Sequence, residues 1–318
     1  MGTNSVHRSF SLGRLAYLGW YAPIAFARRC AEQGLINLWL SSAGRRAMER
    51  AVRKLAPIPS APSNAFPVFF LSGDQFWYQT IFCAYSLRVH AGCAIKVIII
   101  DDGTLTGDQA TELARIIPGT QVRWLAETTR KLDELLPCDR FPTLRRRRLV
   151  YPHLRKLTDV HVGNNGWNVV LDSDMLFYHR PNFFLDWLSG ADRPFHLVDV
   201  EDAYGYSNAL MTELAGATIP SRLNVGMCGL HSNSIDWDLL EAWCDNLLKR
   251  EGGHYLQEQA LTAMLLAGRP CAVAPQEEYI VKPDRAESEN ARGVVHHYVG
   301  ASKLWYFRFG WKHISTMK

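Results

Sequence analysis

The chain has 318 residues, of which 47% are hydrophobic and 21% are charged, values typical of a globular protein. This length is enough to bury a sizeable core and allows one large α/β domain or two ordinary ones; we favour one main domain with an added N-terminal segment. The formal net charge is only +4, and much of the local positive excess comes from four consecutive arginines, residues 145–148. This balance argues against a nucleic-acid partner.

The seven cysteines form no C-x-x-C pair, and most of them have apolar neighbours. This pattern indicates reduced thiols in a core and predicts a cytoplasmic protein. The most apolar N-terminal stretch, residues 15–27, is too short for a membrane-spanning helix, and it lacks the small-residue cleavage pattern of a signal peptide. We therefore expect no transmembrane anchor.

Residues 1–56 combine aromatic and aliphatic side chains with many arginines in a helical rather than alternating pattern. They predict a helical extension. It either packs on the main domain or a second subunit, or lies on the inner membrane surface as an amphipathic segment. Three prolines within residues 57–62 identify 57–65 as a linker, so the main domain is predicted to span 66–318.

From residue 66 onward, apolar runs typical of strands alternate with stretches that carry apolar residues at helical spacing. Residues 68–71 and 96–100 predict strands, and residues 80–89 and 107–117 predict helices. Such alternation implies an α/β fold with a mainly parallel, Rossmann-like sheet that is covered by helices on both faces.

Polar residues follow three of the predicted strands. They are Ser-Gly-Asp at 72–74, Asp-Asp-Gly at 101–103 and Asp-Ser-Asp at 172–174. Ligands of open parallel sheets bind beyond the carboxyl ends of the strands, so these three edges are the places to expect a site. The segment 101–103 has a second interpretation, since Asp-Gly favours a turn without any ligand.

The third edge carries the strongest chemical argument. Asp172 and Asp174 stand two residues apart on an extended chain, so both carboxylates point to one side and can share a divalent cation. Hard oxygen ligands suit Mg²⁺ or Mn²⁺, and such a cation can neutralise the negative charge that develops on a leaving group such as a diphosphate. Such a triplet arises about once by chance in a chain of this length. A second copy, residues 236–238, opens a predicted helix, and we interpret it as a helix cap.

The C-terminal segment makes the interpretation specific. His297-Tyr-Val-Gly300-Ala-Ser-Lys303-Leu-Trp305 is similar to the H-x-x-G-x-x-K-P-W signature of the retaining glycosyltransferases of family eight. It departs from that signature at Leu304, where the family usually has proline. The resemblance implies a GT-A fold and the transfer of a sugar from a nucleotide diphosphate donor, a UDP-sugar, with retention of configuration.

Two further segments resemble the same family. Asn224-Val-Gly226 is similar to its N-x-G-V segment, and Glu258-Gln259-Ala-Leu is similar to its D-Q-x-x-L segment. All these elements occur in the family's order within residues 66–311, about three quarters of the chain.

The resemblance implies roles for the residues that match. Asp172 and Asp174 would hold Mn²⁺, or Mg²⁺, together with His297, while Lys303 and the backbone of Gly300 would contact the diphosphate. A histidine is often structural, and the neighbouring residue 296 is also a histidine that could take the place of His297 as the ligand.

The nucleoside side of the donor is assigned in the same way. Ser72 or Gly73 after the first strand and Asp101 after the second would line the nucleoside, with Ser173 also in the nucleotide site. Arg148 resembles an arginine that steadies the donor. Three of the four consecutive arginines are otherwise expected to form a solvated helix face.

Asp199 and Gln259 would face the transferred sugar, and Asn224 is placed with them among the catalytic residues. Residues 159–166 carry an insertion relative to the family, which makes the register of the preceding arginines ambiguous. An amide such as that of Gln259 is a poor nucleophile, which weakens the option of a covalent intermediate.

Two other functions remain open. A sugar nucleotidyltransferase also uses carboxylates at strand edges and a metal, but it should carry a glycine-rich, basic loop after the first strand, and residues 72–78 hold no basic residue. A non-catalytic binding or scaffold protein that keeps the fold is indicated if Leu304 marks decay of the signature. Carbohydrate, lipid-linked and protein acceptors all remain open.

Overall fold

The computed structural model describes residues 34–92 and 95–316. The expectations for residues 1–33 of the N-terminal extension therefore lie outside the described residues. In chain order, the strands of the described part are β1 Phe66–Ser72, β2 Ile95–Asp101, β3 Gln121–Arg123, β4 Trp167–Leu171, β5 Met175–Phe177, β6 Phe195–Val198, β7 Leu223–His231, β8 Ala272–Val273, β9 Tyr279–Val281 and β10 Val295–His297.

Helices separate most of these strands. They are α1 Leu35–Val52, α2 Trp77–Ala91, α3 Gly107–Ile116, α4 Leu125–Leu135, α5 Pro142–Val150, α6 Arg155–His161, α7 Asn182–Ser189, α8 Asn208–Ala215, α9 Trp237–Glu251, α10 Gln257–Leu265, α11 Arg285–Asn290, α12 Lys303–Trp305 and α13 Trp311–Ser315. A π-helical turn, Tyr306–Gly310, joins the last two helices.

The main sheet has the strand order β3-β2-β1-β4-β7-β6-β8. Strands β3, β2, β1 and β4 run parallel to one another, whereas β7 is antiparallel to both β4 and β6. The chain builds the sheet outward from β1 to β3 and then returns to place β4 on the other side of β1. The order of strands thus reverses between β1 and β4, where open α/β sheets bind their ligands.

Both faces of the sheet are covered, as the sequence predicts. Along β1, Val68 and Phe70 point into the core that includes residues of α1, α2 and α3. Phe69, between them, points to the other face and packs with Val160 of α6 and Val170 of β4. Successive side chains of a strand alternate between faces, so an uninterrupted apolar run is what a strand buried on both sides requires.

A second, smaller sheet lies beyond the carboxyl end of β4. Its order is β5-β10-β9, with β10 antiparallel to β5 and parallel to β9. This pairing sets His297 opposite Met175 on one side and Val281 on the other. The small sheet therefore carries the end of β10 to the residues that follow β4.

The described part of the N-terminal extension is helical, as predicted. Helix α1 packs against α2 and the C-terminal helices, and Met48 and Val52 are completely buried in the core that also contains Val68. No helix among the described residues combines the length and the apolar character needed to cross a membrane. The five cysteines in this part of the chain, at positions 83, 138, 228, 244 and 271, are free thiols.

A buried histidine supports the junction between α6 and the main sheet. His161 is 2% exposed, and its Nδ1 lies 2.8 Å from Ser232 Oγ, which also accepts a hydrogen bond from Asn168 Nδ2 at 2.8 Å. Burial lowers the pKa of His161 to about 3 from its ordinary value of 6.5. The imidazole is therefore neutral in the folded protein.

We expect His161 to make folding stability pH-dependent. Between pH 6.5 and pH 3 the unfolded chain binds a proton at this residue and the folded protein does not, so stability falls as the pH falls. The loss is about 1.4 kcal/mol per pH unit. Urea unfolding across this range should show a shallower pH dependence for His161→Gln. An identical slope in both proteins would contradict the assignment.

Candidate active site

A cleft of about 670 Å³ opens beyond the carboxyl ends of β1 and β4, at the reversal of strand order. Strand β4 ends at Leu171, and the amide nitrogen of Asp172 still donates to Gly226 O of β7 at 2.7 Å. Two residues later, Asp174 O accepts a hydrogen bond from Tyr298 N at 2.9 Å. The acidic turn is thus tied to the main sheet at its start and to the small sheet at its end.

The ligand atoms of Asp172, Asp174 and His297 all lie within 4.8 Å of one another. His297 Nε2 is 3.6 Å from Asp172 Oδ2 and 3.3 Å from Asp174 Oδ1. The imidazole is 2% exposed, and its Nε2 has no hydrogen-bond partner among the described residues. An unpaired polar atom at this depth costs free energy unless something binds it.

Hydrogen bonds on the other side of the ring determine its tautomer. Asn224 Oδ1 accepts from Gly226 N at 2.9 Å and lies 3.0 Å from His297 Nδ1, while Asn224 Nδ2 donates to Asp199 Oδ2 at 2.7 Å. An amide oxygen only accepts, so Nδ1 of the histidine carries the proton and Nε2 keeps its lone pair. Two carboxylate oxygens and this nitrogen form a ligand set that could hold a divalent cation, with Asn224 and Asp199 orienting the nitrogen ligand.

The neighbouring histidine points away from the cluster. His296 Nε2 lies 2.9 Å from Glu287 Oε1, and its Nδ1 lies 3.1 Å from Tyr298 Oη. Burial lowers the pKa of His296 to about 4, although Glu287 opposes the shift. Side chains alternate along β10, so only His297 faces the acidic pair.

Two lysines neutralise the acidic pair from the outside. Lys303 Nζ lies 3.0 Å from Asp174 Oδ2, and Lys156 Nζ lies 2.6 Å from Asp172 Oδ1. Burial alone would raise the pKa of Asp174, but the positive charge of Lys303 outweighs burial and holds the pKa below its usual range. Each lysine contacts the oxygen that faces away from His297, so one oxygen of each carboxylate remains directed at Nε2.

Lys156 and Glu258 are site residues that the sequence did not predict. Glu258 Oε2 lies 3.5 Å from Lys156 Nζ, and both side chains are almost fully buried in the cleft wall. Burial raises the pKa of Glu258 to about 7, although the charge of Lys156 opposes this. For Lys156, burial opposes the charge, but Asp172 and Glu258 outweigh it and raise the pKa of the ammonium. The only available signal was that Glu258 directly precedes Gln259 in the matched segment.

Nine of the thirteen residues predicted for the site line the cleft. They are Asp172, Ser173, Asp174, Asp199, Asn224, Gln259, His297, Gly300 and Lys303. The structure does not bring the other four to the cleft surface. They are Ser72, Gly73, Asp101 and Arg148.

The residues after β1 support the cleft from behind. Ser72 is buried, and its hydroxyl lies 2.7 Å from that of Thr80, which lies 2.7 Å from the hydroxyl of Ser173. Gly73 allows the close approach of Asp102, because a Cβ at this position would lie 2.0 Å from Asp102 Oδ1. Both residues therefore act on the site through neighbours that line it.

At the end of β2, the acid that reaches the cleft is Asp102 rather than Asp101. Asp101 is buried, and its carboxylate accepts hydrogen bonds from Gly103 N at 2.7 Å, Leu105 N at 3.1 Å and Leu125 N at 3.2 Å. The carboxylate of Asp101 therefore stabilises the turn, which agrees with the alternative that Asp-Gly forms a turn here without any ligand.

Arg148 lies in the core instead of the cleft. It is 1% exposed, and its Nε and Nη2 each donate to a carboxylate oxygen of Asp159 at 2.6 Å. Because the guanidinium of Arg148 is buried and already donates two hydrogen bonds to one carboxylate, it does not offer a pair of N–H groups to a nucleotide-sugar. The solvated helix face that we expected for three of the four arginines is also absent at Arg145, which is buried and pairs with Asp133. The basic side chain that pairs with Asp172 is Lys156.

The second acidic triplet is a helix cap, as predicted. Asp236 is the N-cap of α9, and its side chain accepts a hydrogen bond from Leu239 N at 3.0 Å. Asp238, in the first turn, pairs with Arg140 at 2.5 Å. The two carboxylates serve separate structural contacts, so this copy does not form a cation site.

The protein has the GT-A fold of glycosyltransferases. Its features are a mainly parallel sheet with helices on both faces and a cleft at the reversal of strand order, with an acidic pair in the cleft wall. No protein-family model matches the chain, and no curated protein matches it by sequence. Its likeness to known proteins is therefore structural.

Three solved structures illustrate this likeness. The apo WbbM bifunctional glycosyltransferase superposes with a TM-score of 0.51 at 13% identity, over 77% of this chain and 47% of that one. Mouse xyloside xylosyltransferase 1 gives 0.52 at 10% identity, over 73% and 97%. The galactosyltransferase LgtC, in complex with donor and acceptor sugar analogs, gives 0.50 at 15% identity, over 74% and 88%. This chain thus spans about half the length of WbbM and most of the other two.

The position of the imidazole depends on a glycine, which gives a direct test of the cluster. A Cβ at Gly226 would lie 2.1 Å from His297 Cε1 and 2.4 Å from its Nδ1. We therefore expect Gly226→Ala to displace the ring from Asn224 and to lower Mn²⁺ affinity about 10- to 100-fold, as loss of an orienting contact does. Calorimetric Mn²⁺ titration measures this. Gly190→Ala, where a Cβ meets open space, should titrate like the parent; equal affinity in both variants would contradict the geometry.

Proposed function

We propose that this protein is a metal-dependent glycosyltransferase that moves a sugar from a UDP-sugar to an acceptor with retention of configuration. The observation that carries the proposal is the buried Nε2 of His297, which has no hydrogen-bond partner in the described part of the chain and is directed at one oxygen each of Asp172 and Asp174 in the cleft of a GT-A fold.

The comparisons and the sequence support different parts of this proposal. The similar structures named above are glycosyltransferases, and LgtC is described in complex with donor and acceptor sugar analogs. The resemblance of residues 297–305 to the family-eight signature is the basis for retention and for UDP as the carrier. A catalytic role is favoured over a scaffold role because the donor set for a cation is complete.

The diphosphate would bind between the acidic pair and the C-terminal segment. When bound, Mn²⁺ supplies positive charge that neutralises the leaving diphosphate. Lys303 adds a second positive charge on the same side, and Asp174 raises the pKa of its ammonium, so this lysine stays charged. Gly300 has a φ of 55°, a conformation that favours glycine, and it begins the turn that leads to Lys303.

The transferred sugar would lie against the cleft wall formed by Lys156, Asp199, Glu258 and Gln259. In the transfer, the bond between the anomeric carbon and the diphosphate oxygen breaks, and its electron pair leaves with UDP. The acceptor hydroxyl oxygen forms the new bond on the same face, and its proton passes to the departing diphosphate oxygen. Gln259 Nε2 donates to Ala203 O at 2.8 Å, which holds the amide as a positioning group instead of a nucleophile.

Nucleotide-sugar turnover tests the proposal. The purified protein is incubated with a panel of UDP-, GDP- and CMP-sugars, with Mn²⁺ or with chelator, and release of free nucleotide is measured. We expect release from a UDP-sugar that requires the metal, because the carboxylate oxygens of Asp172 and Asp174 that face His297 repel a diphosphate unless a cation lies between them. Equal UDP affinity with and without chelator would overturn the metal-dependent mechanism, and turnover of a GDP- or CMP-sugar alone would overturn the choice of UDP.

A further inference from the structure

An exposed apolar surface begins where the described structure begins. Leu35, Ile36 and Trp39, in the first turns of α1, are 65%, 75% and 64% exposed. Their spacing of one and three residues places them on one face of the helix. Three large apolar side chains exposed together on a helix that also buries Met48 and Val52 call for an explanation, because single exposed apolar residues are ordinary but a cluster is not.

The same face of α1 becomes basic along its length. Ser42, Arg46 and Arg50 continue the stripe from Trp39 at helical spacing, and all three are exposed. Glu49 is the exposed acid of this helix. The solvent face of α1 therefore has an apolar start and a largely cationic continuation.

The C-terminal helices that pack against the other side of α1 also carry aromatic and basic side chains. Trp305 and Phe309 stack with ring centroids 6.1 Å apart, and Arg308 lies 5.3 Å and 5.1 Å from the two centroids. Arg285 lies 6.0 Å and 5.7 Å from the same rings, and Lys312 lies 6.0 Å from Phe309. Arg285 also pairs with the acid Glu289 at 2.8 Å.

One hydrogen bond joins the two parts. Arg308 Nη1 donates to Asn37 Oδ1 in the first turn of α1 at 3.2 Å. Asn37 lies about half a helical turn from Leu35 and Trp39, on the side of α1 that packs against the C-terminal helices, so these residues hold α1 from behind its exposed face. We call the exposed face of α1, which runs from Leu35 through Trp39 to Arg50, the docking face. Helix α1 also packs against the helix that begins at Lys303, a residue of the cleft.

The sequence that leads into the docking face has the same character. Residues 1–33 contain four arginines, a single acid at position 32 and many aromatic and aliphatic residues. Apolar and aromatic side chains beside clustered arginines fit the boundary between lipid headgroups and acyl chains, where the arginines attract anionic lipids. A cationic face also repels a second copy of itself.

We propose that the docking face binds the surface of a membrane containing anionic phospholipids. The exposed start of α1 enters the headgroup boundary, and Arg46 and Arg50 contact the phosphates. This inference stands independently of the proposed sugar transfer, because it rests on surface residues outside the cleft.

Vesicle co-sedimentation of the full chain tests the inference. The parent should sediment with vesicles of phosphatidylcholine mixed with phosphatidylglycerol, and much less with phosphatidylcholine alone. Neutralising two arginines with Arg46→Gln and Arg50→Gln should lower the partition coefficient about tenfold or more, at roughly fivefold per arginine. Replacing Ile36 and Trp39 with serine should lower it by a similar factor.

A matched control uses the exposed apolar pair of α5. Leu149 and Val150 are 69% and 67% exposed, so replacing both with serine removes similar apolar area elsewhere. This control should sediment like the parent, and circular dichroism confirms that each variant is folded. Parent-like sedimentation of both docking-face variants, or equal binding to neutral vesicles, would overturn the inference. An oligomer of the parent that the Ile36 and Trp39 replacements dissociate would overturn it in favour of an interface between copies.

Discussion

Asp172→Asn and Asp174→Asn are each expected to abolish sugar transfer while the protein remains folded. Asparagine keeps the shape of the side chain but removes the charge that holds a divalent cation next to His297 Nε2. Because such a cation contributes several kcal/mol to stabilising the leaving diphosphate, the rate should fall about 10³-fold or more. Initial rates of nucleotide release from the active UDP-sugar measure this, with circular dichroism as the check of folding.

The second acidic triplet supplies the control. Asp236 caps α9 through Leu239 N, and asparagine is an equally good cap, so Asp236→Asn should keep full activity and cost about 1 kcal/mol or less. If this variant lost activity as the other two do, the assignment of the metal site to the edge of β4 would be wrong.

His297→Ala should weaken Mn²⁺-dependent UDP binding about 100-fold, because it removes the nitrogen ligand and leaves an all-oxygen site. The imidazole also favours Mn²⁺ over Mg²⁺, which prefers oxygen ligands and retains its waters, so the variant should lose preference between the two ions. Calorimetric titration of UDP in each metal measures both effects.

His296→Ala is the matched comparison, one residue away on the opposite face of β10. It removes the contacts to Glu287 and Tyr298 and should cost stability, but the folded protein should bind UDP with Mn²⁺ almost as the parent does. Parent-like binding by His297→Ala would refute the proposed role of the C-terminal segment, even if Asp172 and Asp174 prove catalytic.

Local patterns were sufficient for the fold class and for part of the site. The apolar runs of β1 and β2 are continuous because both faces of a parallel sheet are buried, and that property is visible in consecutive residues. The helix cap at Asp236 could also be predicted from the sequence, since an N-cap side chain accepts a hydrogen bond from a backbone amide three residues along the same helix. Asp172 and Asp174 lie in a short turn after β4 instead of on the extended chain that their spacing suggested, so the sequence predicted that they are close together but not how the turn directs their carboxylates.

Long-range pairing decided the rest. Whether residue 296 or 297 faces the acidic pair depends on how β10 pairs with β5 and β9, and a shift of one residue would exchange their roles. Lys156 reaches Asp172 and Glu258 only because α6 packs beneath β4, while Arg148, in the preceding helix, is held in the core by Asp159. A sequence shows that a basic residue is present, but the side chain that neutralises a given carboxylate is chosen by the packing of elements distant along the chain.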